Sequence, residues 1–356
     1  MNHNSNAIPA HLIEPAEPAR NPAGPAPRRR AHSVRRTSSL DVVWPGNEFD
    51  TPMHFTGRAR DAYTPASPDE LQVVAEDGLS ARISRDRIIE QISTQPPRDY
   101  VEALVGVRGG GRLREALNNA LPHPDEANAP LYLLIDDLAG SSLVAIWAWT
   151  QWVDMWSQNF GRDLKAERGT LPSMEGICIG YRPGASSLND DGTPRITQNA
   201  TLVPPLRNPD DPDGWHTLPE PGGVHFRRAR RIDVWREHDR VQIESTFQDS
   251  AHCPDGNRRA IHEYTVRASA HPESFELMDI EAIPQTLPYT SCLAAPGNTH
   301  KLLGLPLNTL RQEVLEHLSR AEGCTHLNDA LRALAEVPVL LAALDRQKAT
   351  PGSLTK

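Results

Sequence analysis

Cysteine is scarce in this chain of 356 residues, with four residues at 178, 253, 292 and 324. So sparse a set cannot build the disulfide framework of a small secreted domain, and no apolar signal segment precedes it. The cytoplasm is the expected compartment. Positive charge is in deficit too: the formal net charge of -9 and pI near 5.9 leave no basic field to neutralise phosphates. Nucleic acid is therefore not an expected partner. Uninterrupted apolar runs are also missing. The most apolar stretch, Leu131 to Trp152, is broken by Asp136-Asp137 and thins into Thr150-Gln151, short of a bilayer span, so no membrane partner is expected. Its tryptophans at 149, 152 and 156 recur at helical spacing and read as a packing face.

Two catalytic signatures are lacking as well. No Ser nucleophile elbow and no dinucleotide fingerprint occur, and Gly109-Gly110-Gly111 lacks the Gly-Lys-Ser/Thr ending of a phosphate-binding loop. That glycine run reads as a turn, and no nucleotide cofactor is expected.

What is present points to an α+β protein made of two diverged copies of an antiparallel sheet-plus-helices unit. Arg35-Arg36 leads to Leu40-Asp41-Val42 and Trp44, as Arg227-Arg228 leads to Ile232-Asp233-Val234-Trp235. A second strand follows in each copy and ends in a small-polar turn, at 57–62 and 246–250, with Asp61 corresponding to Asp249. Leu104-Val105-Gly106-Val107 precedes the helix at 112–117, as Leu302-Leu303-Gly304-Leu305 precedes the one at 309–315. Shared order at a nearly constant offset is the mark of duplication. The expected organisation is a disordered tail over 1–32, a degenerate N-terminal copy over 33–160, a long connection over 161–225, a C-terminal copy over 226–345, and a short tail over 346–356.

The tail is crowded with Pro, Ala, Asn and Arg, and without apolar periodicity it cannot offset its ordering entropy by burial. In the connection, Pro209-Asp210-Asp211-Pro212-Asp213-Gly214 reads as consecutive solvated turns. In the C-terminal copy, strands at 261–267 and 275–282 form a hairpin around His271-Pro272-Glu273, and apolar spacing predicts helices over 309–318 and 327–341.

The chemistry gathers in that second copy. Cys324 and His326 sit where the last of these helices begins, and a helix N-terminus favours a thiolate, so Cys324 is poised to ionise. A thiolate and an imidazole suit zinc or iron. Cys292, in the irregular stretch after the hairpin, and His262, on the preceding strand, complete a candidate ligand set of His262, Cys292, Cys324 and His326. Glu263 and Asp249 are the candidate acid–base groups beside it. His252-Cys253 falls in an exposed turn and supplies reserve ligands only. When the two copies are laid together, Tyr132 and Leu134 stand where Cys324 and His326 would be. The first copy has lost the ligands.

The segments Arg230 to Trp235, Phe247-Gln248-Asp249, Ile261-His262-Glu263, Pro288 to Cys292, Leu303-Gly304-Leu305 and Gly323 to Leu327 together resemble a bacterial domain-of-unknown-function family, number 2889. That resemblance supports the importance of His262, Cys292, Cys324 and His326 and implies no reaction. The order of a ligand before a hairpin, a Cys after it and a ligand pair opening a late helix is also similar to iron–sulfur scaffold proteins of the NifU and IscU type, which implies a related fold for the C-terminal copy. The function expected is metal binding, in a metal-dependent hydrolase or lyase acting on a small organic substrate. The alternatives are a non-catalytic metal or iron–sulfur carrier that binds a partner protein, and an interaction protein stapled by its metal. If all four ligands bind, the site is closed, whereas an enzyme needs an open position. The oligomeric state stays open.

Overall fold

Period-two alternation of apolar and polar side chains, as in Met-His-Phe-Thr-Gly-Arg-Ala from Met53, makes strands that bury one face. Nine strands, the central ones buried on both faces, form one antiparallel sheet in a computed structural model, which describes residues 17–67, 69–152, 173–195 and 200–349. The strands are β1 (Ser33–Val43), β2 (Met53–Thr64), β3 (Gln72–Ile83), β4 (Ile89–Gln95), β5 (Thr201–Val203), β6 (His225–Glu237), β7 (Arg240–His252), β8 (Arg258–Ala270) and β9 (Leu277–Thr286). The helices are α1 (Gly111–Ala120), α2 (Pro130–Val144), α3 (Leu310–His317), α4 (Thr325–Arg332) and α5 (Val337–Ala349).

β1 and β6 form the central seam, antiparallel, with Ser38 opposite Arg230. Outward from it the order is β1-β2-β3-β4 on one side and β6-β7-β8 on the other, where β8 carries both β9 and the short β5. Each half is a four-stranded meander followed by helices. Arg36 stands opposite Asp61 across β1 and β2, and Arg228 stands opposite Asp249 across β6 and β7. Each pair is bidentate: 2.6 Å at both contacts in the first half, 2.8 and 2.9 Å in the second. The segments 57–62 and 246–250 thus lie inside β2 and β7 and are not turns. Asp61 and Asp249 within them face the buried arginines.

Four arginines of β6, at 227, 228, 230 and 231, are buried. Burying an unpaired charge costs several kcal/mol, so each requires an anion. Strand alternation deals them to two faces. Arg228 and Arg230 point to the helical layer, where Arg230 meets Asp137 at 2.6 Å and Arg228 reaches Asp137 and Asp329 at 3.4 and 3.0 Å. Arg227 and Arg231 point the other way, to Asp41 and to Asp233 and Glu244. In the helical layer Arg332 bonds Asp136 at 2.8 Å, and Arg36 and Arg311 both bond Glu336. Asp136 and Asp137 therefore lie at the junction of the two halves, which share one sheet and one ion-pair network.

The opposite face of the sheet is covered by segments that composition marks as tail and connection. Asn21 N–H donates to the Gln285 carbonyl at 2.7 Å, and Ala26 N–H to that of Leu206 at 2.9 Å. Arg29 is buried in a clasp with Asp211 at 2.8 Å. The described part of the expected tail, 17–32, is thus held in place, and Asp211 is no solvated turn residue. Backbone pairing and a buried ion pair supply what apolar periodicity does not. Within the connection, His216 is buried between the Thr37 and Ser39 hydroxyls, 2.8 Å from each.

Two apolar clusters fill the helical side, one under each half. Trp149 is buried in edge-on contact with Trp44 and Phe49, both at 5.5 Å, as a packing residue should be. Trp156 lies outside the described residues. The stretch Pro130–Gln151 is long and apolar enough to cross a membrane, and 72% of its most apolar window is buried within the fold. The helix expected over 327–341 is broken: α4 ends at Arg332, a 3₁₀ turn follows, and α5 starts at Val337. Pro338 explains the break, since it lacks an N–H to continue a helix but is accommodated in a first turn.

Candidate metal centre

β7 and β8 place Asp249 directly opposite His262, immediately before a register shift after which pairing resumes with Ser250 opposite Ala260. Cys324 is the N-cap of α4, so His326 lies in that helix's first turn, above the same point on the sheet. The His262 and His326 rings stack with centroids 3.3 Å apart and planes 16° from parallel. Asp249 Oδ2 lies 3.4 Å from His262 Nδ1 and 3.9 Å from His326 Nε2. One donor atom from each of these three residues falls within 4.8 Å of the others.

Burial alone would raise the Asp249 carboxyl, but the Arg228 guanidinium and the neighbouring His262 hold it well below the usual carboxylate range. Burial pushes His262 down, against the pull of Asp249. Burial and the adjacent His262 push His326 further down. Both imidazoles are neutral near pH 7 and keep a lone pair for a metal. Nδ1 of His262 makes no hydrogen bond among the described residues.

The other nitrogen of His326, Nδ1, faces Cys324 Sγ at 4.0 Å. A zinc ion with ordinary Zn–S and Zn–N lengths holds such atoms roughly 3.6 Å apart, so the pair needs little adjustment. Cys292 belongs to the same buried region, on the 3₁₀ run Thr290–Leu302, with Cys324 acting on its ionisation. Cys292 and Cys324 thus share a buried region beside the imidazoles, while the donor atoms within 4.8 Å of one another are those of Asp249, His262 and His326. The expectation that Cys324 is poised to ionise is reversed: burial pushes its thiol up, and the opposing pull of the Leu327 and His326 amides at the helix start does not compensate. Desolvation outweighs the helix terminus.

The expected acid–base groups fare differently. Glu263 follows His262 on the strand and so points to the opposite face, where it accepts a hydrogen bond from Gln248 at 3.0 Å. It is no base for this centre. Asp249 is beside the centre, but both its oxygens are engaged by Arg228. The same bidentate pair recurs at Arg36 and Asp61, where no histidine or cysteine is nearby in the sheet. Asp249 is thus part of the scaffold, able to fix an imidazole through its ring N–H. Cys253, expected in an exposed turn, is instead fully buried in the β7–β8 turn, where its thiol bonds weakly to the Ala251 carbonyl.

Two residues of the region go unnoticed in the sequence. Cys178 is buried in the segment between the halves, and the Cys324 thiol raises its pKa further after burial has done so, to about 12. Tyr264, two residues beyond His262 on the same face of β8, is fully buried, and its hydroxyl has no hydrogen-bond partner among the described residues. A cysteine that precedes Gly180 by two residues was the available signal for the first. Nothing local marks the second.

Residues 226–340 match a family model described as Protein of unknown function (DUF2889). That span holds Asp249, His262, Cys292, Cys324 and His326, while Cys178 lies outside it. No curated protein and no solved structure matches the chain, so the similarity to NifU and IscU-type proteins rests on residue order alone.

Proposed function

We propose that this chain, whose residues 226–340 match the family model described as Protein of unknown function (DUF2889), is a metal-binding protein. Its centre is built on Cys324 and His326 and holds zinc or iron. The observation that carries this reading is the two-sided placement of His326, with Nε2 toward the Asp249 carboxylate and Nδ1 toward the Cys324 thiol. A carboxylate behind a ligating imidazole fixes its tautomer and raises its basicity. Cys292 is the next donor, and His262 stacks on the ligand ring.

Enclosure favours a stapling role for the metal over hydrolase or lyase chemistry. Cys292 and Cys324 are 6% and 2% exposed, Glu263 faces away, and Asp249 is neutralised by Arg228. The centre therefore has no evident carboxylate base. A second reading has one observation in its favour: Asp249, His262 and His326 converge, and His262 Nδ1 is unbonded, as an open three-ligand enzyme centre would have them. Sequence correspondence and the back-to-back order of the two meanders support descent by duplication, with the centre kept in one half.

Elemental analysis of the full chain tests the metal reading. One equivalent of zinc or iron is expected in the native protein, with loss of most of it in both Cys324→Ala and His326→Ala. Undiminished metal in both variants, or none in the native protein, sinks it. Azide added to the cobalt-substituted protein separates staple from enzyme. An unchanged visible spectrum supports a closed centre, and a shifted one an open coordination position.

A further inference from the structure

Three of the four cysteines come from segments far apart in the chain and lie in one buried region, with their sulfurs spread wider than the 4.8 Å grouping of Asp249, His262 and His326. Cys178 lies between the halves, Cys292 on the 3₁₀ run after β9, and Cys324 at the start of α4. Gly180 shows how closely two of them meet. A Cβ at that position would stand 2.8 Å from Cys292 Sγ and 3.5 Å from Cys178 Sγ. Any side chain there would displace a sulfur.

Ordinary core thiols need only apolar neighbours, and these have more. Cys178 opens the turn Ile179–Tyr181 and Cys324 opens α4, and Cys324 Sγ stands 4.0 Å from His326 Nδ1. Tyr264 adds an independent sign: its fully buried hydroxyl is aimed at Cys324 and makes no hydrogen bond of ordinary geometry. Such a group lacks a partner until the cluster carries charge. The segment bearing Cys178 is tied to the domain at several points. Ile179 N–H donates to the Gly323 carbonyl at 2.8 Å, the Ser291 hydroxyl donates to the Gly180 carbonyl at 3.0 Å, and Arg182 donates to the Ser291 carbonyl at 3.3 Å.

We infer that Cys178 is a metal ligand, and that Cys178, Cys292, Cys324 and His326 Nδ1 form a closed, tetrahedral zinc site joining the segment between the halves to the C-terminal half. This rests on the metal reading above and assigns it a ligand from outside the family-matched span. Three sulfurs and one imidazole suit zinc, which has no redox change and accepts a closed four-ligand shell. The excess negative charge of three thiolates lies near Arg182, Arg228 and Arg230, each of which acts on a member of the cluster. His262 is left as a positioning residue, stacked on the ligand imidazole.

The experiment is X-ray absorption on the zinc-loaded full chain, with cobalt-substituted Cys178→Ser and Cys253→Ser beside it. Three sulfurs and one nitrogen around zinc are expected. In Cys178→Ser the sulfur-to-cobalt charge-transfer intensity should fall by about a third and zinc affinity by roughly tenfold or more, with Cys253→Ser unchanged. Two sulfurs with two nitrogens, or full thiolate intensity in Cys178→Ser, overturns the assignment of Cys178 and leaves the metal reading standing. A native protein that binds no stoichiometric zinc overturns both.

Discussion

Asp249 shows how one residue is given two tasks by its surroundings. It neutralises Arg228, as Asp61 neutralises Arg36 in the other half, and it also faces two imidazoles that have no counterpart there. The two aspartates therefore make a matched pair of variants. Asp61→Asn and Asp249→Asn each leave a buried guanidinium short of an anion, and removing one partner of a buried pair costs about 3–5 kcal/mol. Both should lower the midpoint of urea unfolding to a similar extent. Only Asp249→Asn should weaken zinc binding, by roughly 10–100-fold, because only Asp249 holds the ligand ring. Equal zinc affinity in the two variants would show that Asp249 does nothing for the centre. Gly180 makes a second case at this scale. Gly180→Ala should weaken zinc binding through the Cys292 sulfur, measurable by competition with a chromophoric chelator.

At the scale of elements, the segment 17–30 acts as a strap across the far face of the sheet. It is pinned by Arg29 on Asp211 and by backbone bonds to the ends of β9 and to Leu206. A chain that starts at Ser33 should melt at a lower temperature than the full chain, and Arg29→Ala should reproduce part of that loss by leaving Asp211 without its cation. An unchanged Tm in both would return 17–32 to the status of a tail. Composition hid this strap because it is held by partners distant in sequence, and a window of residues carries no sign of Asp211. The strands and the β8–β9 hairpin were legible for the opposite reason: alternation at period two is local. The break at Pro338 was legible in principle, since the proline sits in the middle of the 327–341 periodicity. Of the site, His262, Cys292, Cys324 and His326 could be gathered by type and order. Side-chain direction decided the rest. One step along β8 takes His262 to the centre and Glu263 to the far face. Cys178 was hidden by its place in a polar connection, whose contacts no spacing rule reaches.

For the whole molecule, one sheet with a buried arginine seam implies that the halves unfold together, since neither owns all the anions its arginines need. The same polar interior sets the response to acid. His216, on the far face, is kept neutral by burial and by Arg60 and Arg58, with its pKa pushed down to about 3. His225 is pushed down to about 4 by burial, against the hydrogen bond it donates to Asp41. An unfolded chain protonates these imidazoles near pH 6.5, while the folded chain does so only near those lower values. Between the two the unfolded state binds more protons, so stability rises with pH across that window and is lost on acidification from about pH 6.5 downward. His216→Gln keeps a hydrogen-bonding group between Thr37 and Ser39 and cannot take up the proton. The variant should lose less stability than the native chain when urea midpoints at pH 7.5 and pH 5.0 are compared. Taking the difference between the two proteins cancels any contribution from metal release, which both share. Parallel losses in native and variant chains would mean that His216 carries no part of the acid sensitivity, which then falls to His225 and the carboxylates of the seam.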